Sequence, residues 1–253
     1  MKKEVGNHKN IYKNIMVNNV EKYISDWFIN IKSDKMLISF YIIRKSLLEA
    51  ITELKPKLHG VVIDLACGVM PYKEYLLNNS IENYIGIDLE PTEYHNQVKP
   101  DYYWDGKKIP LEDASVNFVI ATEFLEHYFD TNFILKEIQR VLKPGGTFFF
   151  TVPSVWPLHE APYDYHRFTP YALEEHFKNT EFSSWEIKQL GGFHYHLALS
   201  FALWNDYRLP QKKQKLIKPF LNFVVKFLMK KDKKELKFKN NQMYSGLYGF
   251  VVK

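Results

Sequence analysis

Two short segments that follow one another closely constrain the fold more than anything else in this chain. Residues 61–72 form an apolar run that ends in a glycine-containing turn, and residues 84–88 form a second apolar run that ends in Asp88. A buried strand that ends at a glycine lets the backbone approach a ligand, and an acid at the end of the next strand is spaced to bond a ribose. The pair therefore predicts a nucleoside-binding site at the carboxyl edge of a sheet.

The turn after the first run differs from a dinucleotide-binding loop. A diphosphate binder needs a G-x-G-x-x-G loop whose helix presents backbone amides to the anion, whereas this turn keeps Gly68 and carries the acid Asp64. An acid beside the ligand suits a cation better than a diphosphate.

The segment from Asp64 to Tyr72 resembles the first motif, Asp-x-Gly-Cys-Gly-x-x-Pro-Tyr, of a small-molecule subgroup of the class I S-adenosylmethionine-dependent methyltransferases. Ala66 stands where that family usually has its first glycine, and its methyl group is placed to crowd the methionine end of the cofactor. The resemblance implies S-adenosyl-L-methionine as the cofactor, bound in part by Asp64, Ala66 and Gly68.

The same resemblance implies the residues that hold the nucleoside. Asp88 would accept from both ribose hydroxyls, with Leu89 beside it. Residues 104–110 resemble the adenine-binding stretch, in which Asp105 would accept from the exocyclic amine and Gly106 would meet the ring through its backbone amide. An Asp-Gly pair by itself is an ordinary turn signal, so that alternative stays open.

The pattern of buried apolar runs and helical stretches predicts an α/β fold. We expect a doubly wound, Rossmann-like sheet of seven mostly parallel strands with an antiparallel last strand, N-terminal helices and a helical insertion before the last strand. Strands are predicted at 61–66, 83–88, 101–104, 116–121, 146–152, 184–190 and 245–252. Helices are predicted at 71–79, 130–142, 170–178, 196–207 and 214–229, with two or three more within 11–54.

The resemblance covers residues 61–182 and the last strand, and it suggests four parts. These are an N-terminal helical cap (1–57), a cofactor-binding core (58–190), a helical insertion that serves as a lid or platform (191–244) and the final core strand (245–253). The insertion is much longer than the usual connection between two strands, so it must fold on its own account.

The exit of the fourth predicted strand carries the next group of site residues. By the resemblance, Thr122 and Glu123 lie against the methionine part of the cofactor, and Glu126 and His127 begin the next helix. His127 is either a general base or a helix-start histidine, and we assign it to the cofactor side. Asn117 replaces the usual acid of this strand, but at its start, away from the site.

The loop after the fifth predicted strand carries the catalytic candidates. Residues 159–169 resemble the subgroup signature His-x-x-Pro-x-Asp-Tyr-x-Arg-Phe-Thr. His159 would deprotonate an acceptor hydroxyl and Asp164 would orient it. Arg167 is either an anion clamp or, as we favour, the partner of Asp164 that holds the loop. Thr169 is predicted to cap the helix that follows.

The cysteine count and the distribution of charge indicate where the protein works. Cys67 is the single cysteine, which excludes a disulfide framework and indicates a reducing, cytoplasmic setting. The chain of 253 residues has a net charge of +5, but residues 211–239 alone carry eleven lysines against Asp232 and Glu235. Residues 214–239 either make peripheral contact with the inner face of a membrane or, as we favour, form a helix packed on the domain with a solvated basic loop after it.

The function that these features predict is S-adenosylmethionine-dependent methyl transfer, most naturally to an oxygen of a small molecule, sugar or glycan intermediate. A non-catalytic cofactor-binding or scaffolding module with the same fold is one alternative. An RNA methyltransferase is another, although the basic segment lacks the arginines and stacking aromatics of a base-reading surface. No metal site is predicted, because His194 and His196 lack a third placed ligand.

Overall fold

The computed structural model describes residues 19–89, 98–232 and 238–253. They form one seven-stranded sheet in the order β3-β2-β1-β4-β5-β7-β6. The strands are β1 (Gly60–Leu65), β2 (Ile81–Leu89), β3 (Tyr102–Trp104), β4 (Val116–Thr122), β5 (Leu142–Pro153), β6 (Ser184–Leu190) and β7 (Gly246–Val252). The predicted fold class is confirmed, and every predicted strand is present.

The register brings the ends of four strands together. β1 is parallel to β2 and β4, β2 to β3, and β4 to β5, whereas β7 is antiparallel to both β5 and β6. Asp64 lies opposite Gly86 on one side and Ile120 on the other. The loops that leave β1, β2, β4 and β5 therefore share one edge of the sheet, where open α/β folds bind ligands.

Helices cover both faces of the sheet. They are α1 (Val20–Ile24), α2 (Ile38–Leu54), α3 (Lys73–Leu76), α4 (Thr131–Val141), α5 (Pro170–Asn179), α6 (Phe193–Arg208) and α7 (Gln211–Lys231). A π-helical turn, Ser25–Ile29, continues α1. The predicted N-terminal helices are thus found within residues 19–54, and residues 11–18 of that prediction lie outside the described part.

Two predictions about helices differ from the structure. α3 is one short turn within the predicted 71–79, because Asn78 accepts from the backbone N–H of Ser80 at 2.7 Å and turns the chain into β2. Helix α4 agrees with the predicted 130–142 to within one residue, and Asp130 caps it by accepting from the amide of Phe133. The expectation that Glu126 and His127 begin this helix is wrong, because they lie in a separate 3₁₀ turn before it.

Residues 143–146, which contain one proline and two glycines, lie inside the fifth strand. The helix α4 does stop at Val141, as predicted, but β5 already pairs from Leu142, and the register shifts between Leu142 and Thr147. The proline and glycines are accommodated as an irregularity inside the strand, since Gly145 takes a φ of 76° that a side chain disfavours.

Alternation along β5 divides the core between the two faces. Phe149 packs with the cluster under α2 and α6, whereas Phe148 and Phe150 pack with the cluster under α4 and α5, and all three are fully buried. Such period-two burial on both faces is expected of a central strand in a doubly wound sheet.

The insertion between β6 and β7 is anchored on the N-terminal helices. The Tyr195 hydroxyl of α6 donates to the carbonyl of Ile42 at 2.9 Å. Asp206, near the end of the same helix, accepts from the backbone N–H and the hydroxyl of Ser39, at 2.9 and 2.7 Å, and so caps α2. The two unassigned parts of the sequence therefore form one helical layer over the sheet.

Candidate active site

The turn after β1 presents its backbone to open space. Gly68 has a φ of 52°, and a Cβ built on it meets no atom of the described residues within 4 Å. Its amide donates to Oδ2 of Asp88 at 2.7 Å, which locks the turn to the end of β2. The turn and the acid that the sequence places side by side are therefore in direct contact.

Ala66 occupies the position where the resembled motif has glycine, and its backbone shows why glycine suits that position. Its φ is 58°, in the left-handed region where a Cβ approaches the following carbonyl oxygen. The turn keeps the glycine conformation although the residue is alanine, and the cost is backbone strain of about 1 kcal/mol.

The end of β2 has the polarity and shape that an adenosine group needs. Asp88 accepts from the amide of Leu89 through Oδ1 at 2.8 Å, and a carboxylate can accept about four hydrogen bonds in all. The Leu89 side chain is 48% exposed, and a Cβ on Gly106 would lie 3.4 Å from it. An acid beside an exposed apolar side chain and an open glycine backbone fits a ribose and its attached base.

Asp64 is the last residue but one of β1 and precedes the turn that contains Gly68 in the sequence. It is buried, and its Oδ2 accepts from the hydroxyl of Tyr84 at 2.8 Å. Burial raises the pKa of Asp64 to about 7, and the nearby charge of Asp88 adds to the rise. Asp64 thus links β1 to β2 through Tyr84, a partner that the sequence pattern does not single out.

Asp105 closes its own turn. Its Oδ1 accepts from the amides of Lys107 and Lys108 at 2.8 and 3.3 Å, and those bonds hold its pKa below the ordinary value. The hydroxyl of Tyr128 donates to the carbonyl of Gly106. The segment is thus the ordinary Asp-Gly turn, placed beside Leu89 at the end of the neighbouring strands.

Glu123 is held in a strained backbone conformation at the exit of β4. Its φ is 50°, its amide donates to the carbonyl of Thr151, and its Oε1 accepts from the Thr151 hydroxyl at 2.9 Å. Burial raises the pKa of Glu123, against hydrogen bonding by Thr151 and the charge of Arg44. Thr122, one residue earlier, ends β4 and is half-buried. Strain that the surroundings enforce is concentrated at functional sites.

A 3₁₀ turn, Leu125–His127, follows Glu123 and meets the loop after β5. The backbone carbonyl of Glu126 accepts from the amides of Tyr165 and His166 at 2.9 and 3.2 Å. The Glu126 side chain is fully buried, and neither of its carboxylate oxygens has a hydrogen-bond partner. His127 packs edge to face on His159, with ring centroids 4.7 Å apart. The predicted cofactor-side and acceptor-side histidines are therefore neighbours.

Asp164 and Arg167 form the predicted pair that holds the loop. Arg167 donates to both oxygens of Asp164, at 2.5 and 2.8 Å, and this fork holds the pKa of Asp164 well below its usual range. Asp164 also accepts from the backbone N–H of His159 at 3.2 Å. The Nδ1 atom of His159 lies 3.3 Å from Asp164 Oδ2 without hydrogen-bond geometry. Asp164 thus positions His159 mainly through the backbone.

An open cleft of about 590 Å³ lies beside the end of β5. It is lined by Ser154, Val155, Trp156, Pro157, Leu158, Asp164, Tyr165, His166, Arg167 and, from α6, Leu203. Gly68 and Asp88 do not line it, and residues 90–97, which follow β2, lie outside the described part. The cleft is therefore separate from the turn that contacts Asp88.

The class that fold and site define is the Rossmann-like fold of S-adenosylmethionine-dependent methyltransferases. A solved structure from Thermotoga maritima with that description aligns with a TM-score of 0.54 over 96% of this chain and 99% of its own, at 16% identity. At that identity the likeness shows the fold alone.

Comparisons of sequence find matches over part of this chain. A family model described as a methyltransferase domain matches residues 63–150. A protein of Mycolicibacterium smegmatis named as a probable S-adenosylmethionine-dependent methyltransferase is 32% identical over 37% of this chain and 38% of its own. The ubiquinone/menaquinone biosynthesis C-methyltransferase of Caulobacter vibrioides is 36% identical over 28% of this chain and 30% of its own. Residues 63–150 are thus similar to methyltransferase domains, and the matched part spans less than two fifths of either relative.

Sequence reasoning identified the strand ends but missed the buried acid beside them. The sequence places Glu126 only at the start of a helix, yet both of its buried carboxylate oxygens lack a hydrogen-bond partner among the described residues. A second acid three residues after Glu123, followed at once by His127, was the available signal.

Proposed function

We propose that this protein is an S-adenosylmethionine-dependent methyltransferase that methylates a hydroxyl oxygen of a small molecule, sugar or glycan intermediate. The contact between Gly68 and Asp88, beside a turn that opens into free space, is the observation that carries the cofactor part of the proposal. The aromatic and polar lining of the neighbouring cleft supports the acceptor part.

The chain's contribution is mainly to bind and orient. Bound S-adenosylmethionine supplies an electrophilic methyl group on its sulfonium sulfur. Asp88 would hold the ribose, Leu89 would pack on the base, and the turn around Gly68 would leave room for the rest. Holding donor and acceptor in line accounts for much of the acceleration that such a displacement needs.

A hydroxyl acceptor suits the ionisable groups near the cleft. Trp156 and Tyr165 offer flat apolar surfaces, and Asp164 and Arg167 offer hydrogen-bonding groups beside them. His159 does not itself line the cleft, but its backbone N–H donates to Asp164, which does, and we assign to His159 the removal of the acceptor proton. Burial lowers the pKa of His159, which favours the neutral ring that a base requires.

Calorimetric titration with S-adenosylhomocysteine, followed by turnover assays on a panel of sugars, glycans and small hydroxylated molecules, tests the proposal. Stoichiometric binding with turnover on such an acceptor supports it. Binding without turnover on any acceptor would favour a scaffolding module. Turnover on RNA that falls steeply with salt would favour an RNA methyltransferase, and either result overturns the acceptor class.

A His159→Ala variant tests the acceptor side separately. Turnover should fall while affinity for S-adenosylhomocysteine changes little, since His159 belongs to the loop after β5 and not to the cofactor turn. Turnover equal to that of the wild type would remove His159 from the mechanism.

We also propose that α7 docks the protein on an anionic membrane surface. One side of the helix packs on the domain through the buried residues Leu221 and Val225. The opposite side exposes an apolar stripe at helical spacing, with exposed fractions of 52–80%, formed by Leu216, Phe220, Phe223 and Phe227. The helix is thus packed on one side, and its other side exposes apolar side chains within the part of the chain that the structure describes.

The charge on α7 supports an anionic membrane surface as the partner of this stripe. The helix contains seven lysines and no acidic residue. Apolar side chains flanked by lysines suit the boundary between acyl chains and anionic headgroups, where both are satisfied together. None of the described helices is long and apolar enough to cross a bilayer.

Co-sedimentation with vesicles tests the docking. The protein should bind vesicles that contain phosphatidylglycerol, and the double variant Phe220→Ser, Phe223→Ser should lose most of that binding. Tyr171→Ser, which removes a similarly exposed ring from α5, is the matched control and should bind normally. Absence of vesicle binding, or a lipid-free dimer that the double variant abolishes, would overturn the proposal.

A further inference from the structure

Three ligating side chains converge where the 3₁₀ turn after β4 meets the loop after β5. Glu126, His127 and His159 each offer one ligand atom, and these atoms all lie within 4.8 Å of one another. Glu126 Oε1 and His127 Nε2 are 3.7 Å apart. Two ligands that lie about 2.1 Å from one tetrahedral ion are about 3.4 Å apart, so small side-chain rotations would close this Glu-His-His cluster around a cation.

The buried carboxylate of the cluster lacks compensation within the described residues. Glu126 is fully buried, and both of its oxygens are without a hydrogen-bond partner. A buried polar group without a partner costs roughly 1–3 kcal/mol, and a charged one costs more. A cation at the cluster would give this carboxylate a partner through one of its oxygens.

The surroundings of His127 prepare it as a ligand. Its Nδ1 lies 2.8 Å from the backbone carbonyl oxygen of Tyr163, which can only accept, so Nδ1 carries the proton. Nε2 then bears the lone pair, and Nε2 is the atom that faces Glu126. Histidines that bind metals commonly donate their other nitrogen to a carbonyl or carboxylate in this way.

His159 completes the cluster from the opposite loop. Its Nδ1 is buried and has no hydrogen-bond partner, although Asp164 Oδ2 lies 3.3 Å away. Asp164 fixes the position of the residue through its backbone N–H, and Arg167 fixes Asp164. The three ligating residues are therefore held by a rigid frame of hydrogen bonds.

We propose that Glu126, His127 and His159 form a binding site for a divalent transition-metal ion. Two imidazoles with one carboxylate form a donor set that suits zinc, and that is less suited to magnesium, which prefers oxygen ligands alone. Three protein ligands leave a coordination position open toward a small molecule.

The binding of the ion stands on these contacts alone, and its use in catalysis rests on the proposed function. An acceptor hydroxyl that coordinates the ion loses its proton to solvent water more readily, because the cation stabilises the alkoxide. The oxygen–methyl bond then forms as the methyl–sulfur bond breaks, and S-adenosylhomocysteine leaves. In this arrangement His159 serves as a ligand, and the ion activates the hydroxyl.

Metal titration of tag-free, chelator-treated protein tests the site without cofactor or acceptor. We expect one equivalent of Zn²⁺ to bind by calorimetry, with Mn²⁺ weaker and Mg²⁺ weakest. Glu126→Gln, His127→Ala and His159→Ala should each weaken Zn²⁺ binding at least 10-fold. The control is His194→Ala, because His194 is an exposed histidine on α6, away from the cluster. It should bind Zn²⁺ like the wild type.

Two results would overturn the inference, and neither depends on the proposed function. One is the absence of stoichiometric Zn²⁺ binding by the wild type, and the other is equal Zn²⁺ affinity in the wild type and Glu126→Gln, which preserves the shape of the side chain. Circular dichroism of each variant separates lost ligation from lost folding. S-adenosylhomocysteine binding by the metal-free protein is measured in parallel, so that failure of the cofactor site is distinguished from failure of the metal site.

Discussion

Gly68 and Gly145 form a natural pair for measuring what the cofactor turn does. Both have left-handed backbones, with φ of 52° and 76°, and a Cβ on either meets no atom of the described residues within 4 Å. Gly68 follows β1 at the carboxyl edge of the sheet, whereas Gly145 lies near the start of β5, at the opposite edge. An alanine at each position therefore imposes similar strain, but only one methyl group enters the proposed cofactor site.

The expected loss of stability is similar for the two variants. A left-handed alanine costs about 1–2 kcal/mol, and reduced freedom of the unfolded chain returns about 0.4–1 kcal/mol. The net change in the free energy of unfolding is thus about 1 kcal/mol, which lowers Tm by about 2–4 °C in a chain of this size.

The expected change in cofactor affinity differs between them. Gly68→Ala should weaken S-adenosylhomocysteine binding at least about 10-fold, or about 1.4 kcal/mol, whereas Gly145→Ala should bind like the wild type. Urea denaturation measures the stabilities, and calorimetry measures the dissociation constants. Equal affinities in the two variants, with equal stabilities, would refute the placement of the cofactor at the turn after β1.

Three further outcomes are expected. Ala66→Gly should raise the free energy of unfolding by about 0.5 kcal/mol, because it relieves a φ of 58° at some entropic cost; a lower stability in urea denaturation would contradict this. Asp64 has a pKa raised to about 7, so the folded state binds its proton more tightly than the unfolded state, and this contribution to stability is lost as pH rises from about 4 to 7. The stability of Asp64→Asn relative to the wild type should therefore grow over that pH range. A constant difference in stability would argue against the shift. Tyr195→Phe should lower stability by about 1 kcal/mol through loss of the hydrogen bond to Ile42, and an unchanged urea midpoint would show that this bond contributes nothing.

The sheet could be predicted because its signals are local. Each apolar run was bounded by a turn signal, and β1, β4 and β6 begin and end within one residue of the predicted positions. Helix ends were less predictable. α3 stops early because the side chain of Asn78 forms a turn, and Glu126 and His127 lie outside α4 because Asp130 caps that helix at Thr131. Both are contacts of single side chains.

The candidate site was only partly predictable, because the contacts between its side chains form only in the folded chain. The residues at the ends of β1 and β2 were named in advance because parallel strands align their ends by rule. The roles of Asp64 and Asp105 as site ligands remain predictions, since the contacts seen are with Tyr84 and with the amides of a local turn. These hydrogen bonds depend on the positions of particular side chains and amides, which the spacing of residues in the sequence does not predict.

The order of apolar runs and turns in the sequence determined the fold and the position of the cofactor edge, because strand burial and turn formation depend on neighbouring residues. The tertiary structure alone decided that Glu126 and His127 meet His159, more than thirty residues away, and that Glu126 is left buried without a hydrogen-bond partner. Burial and orphaned polarity are properties of the packed chain, and they arise only when the loop after β5 closes over the turn after β4.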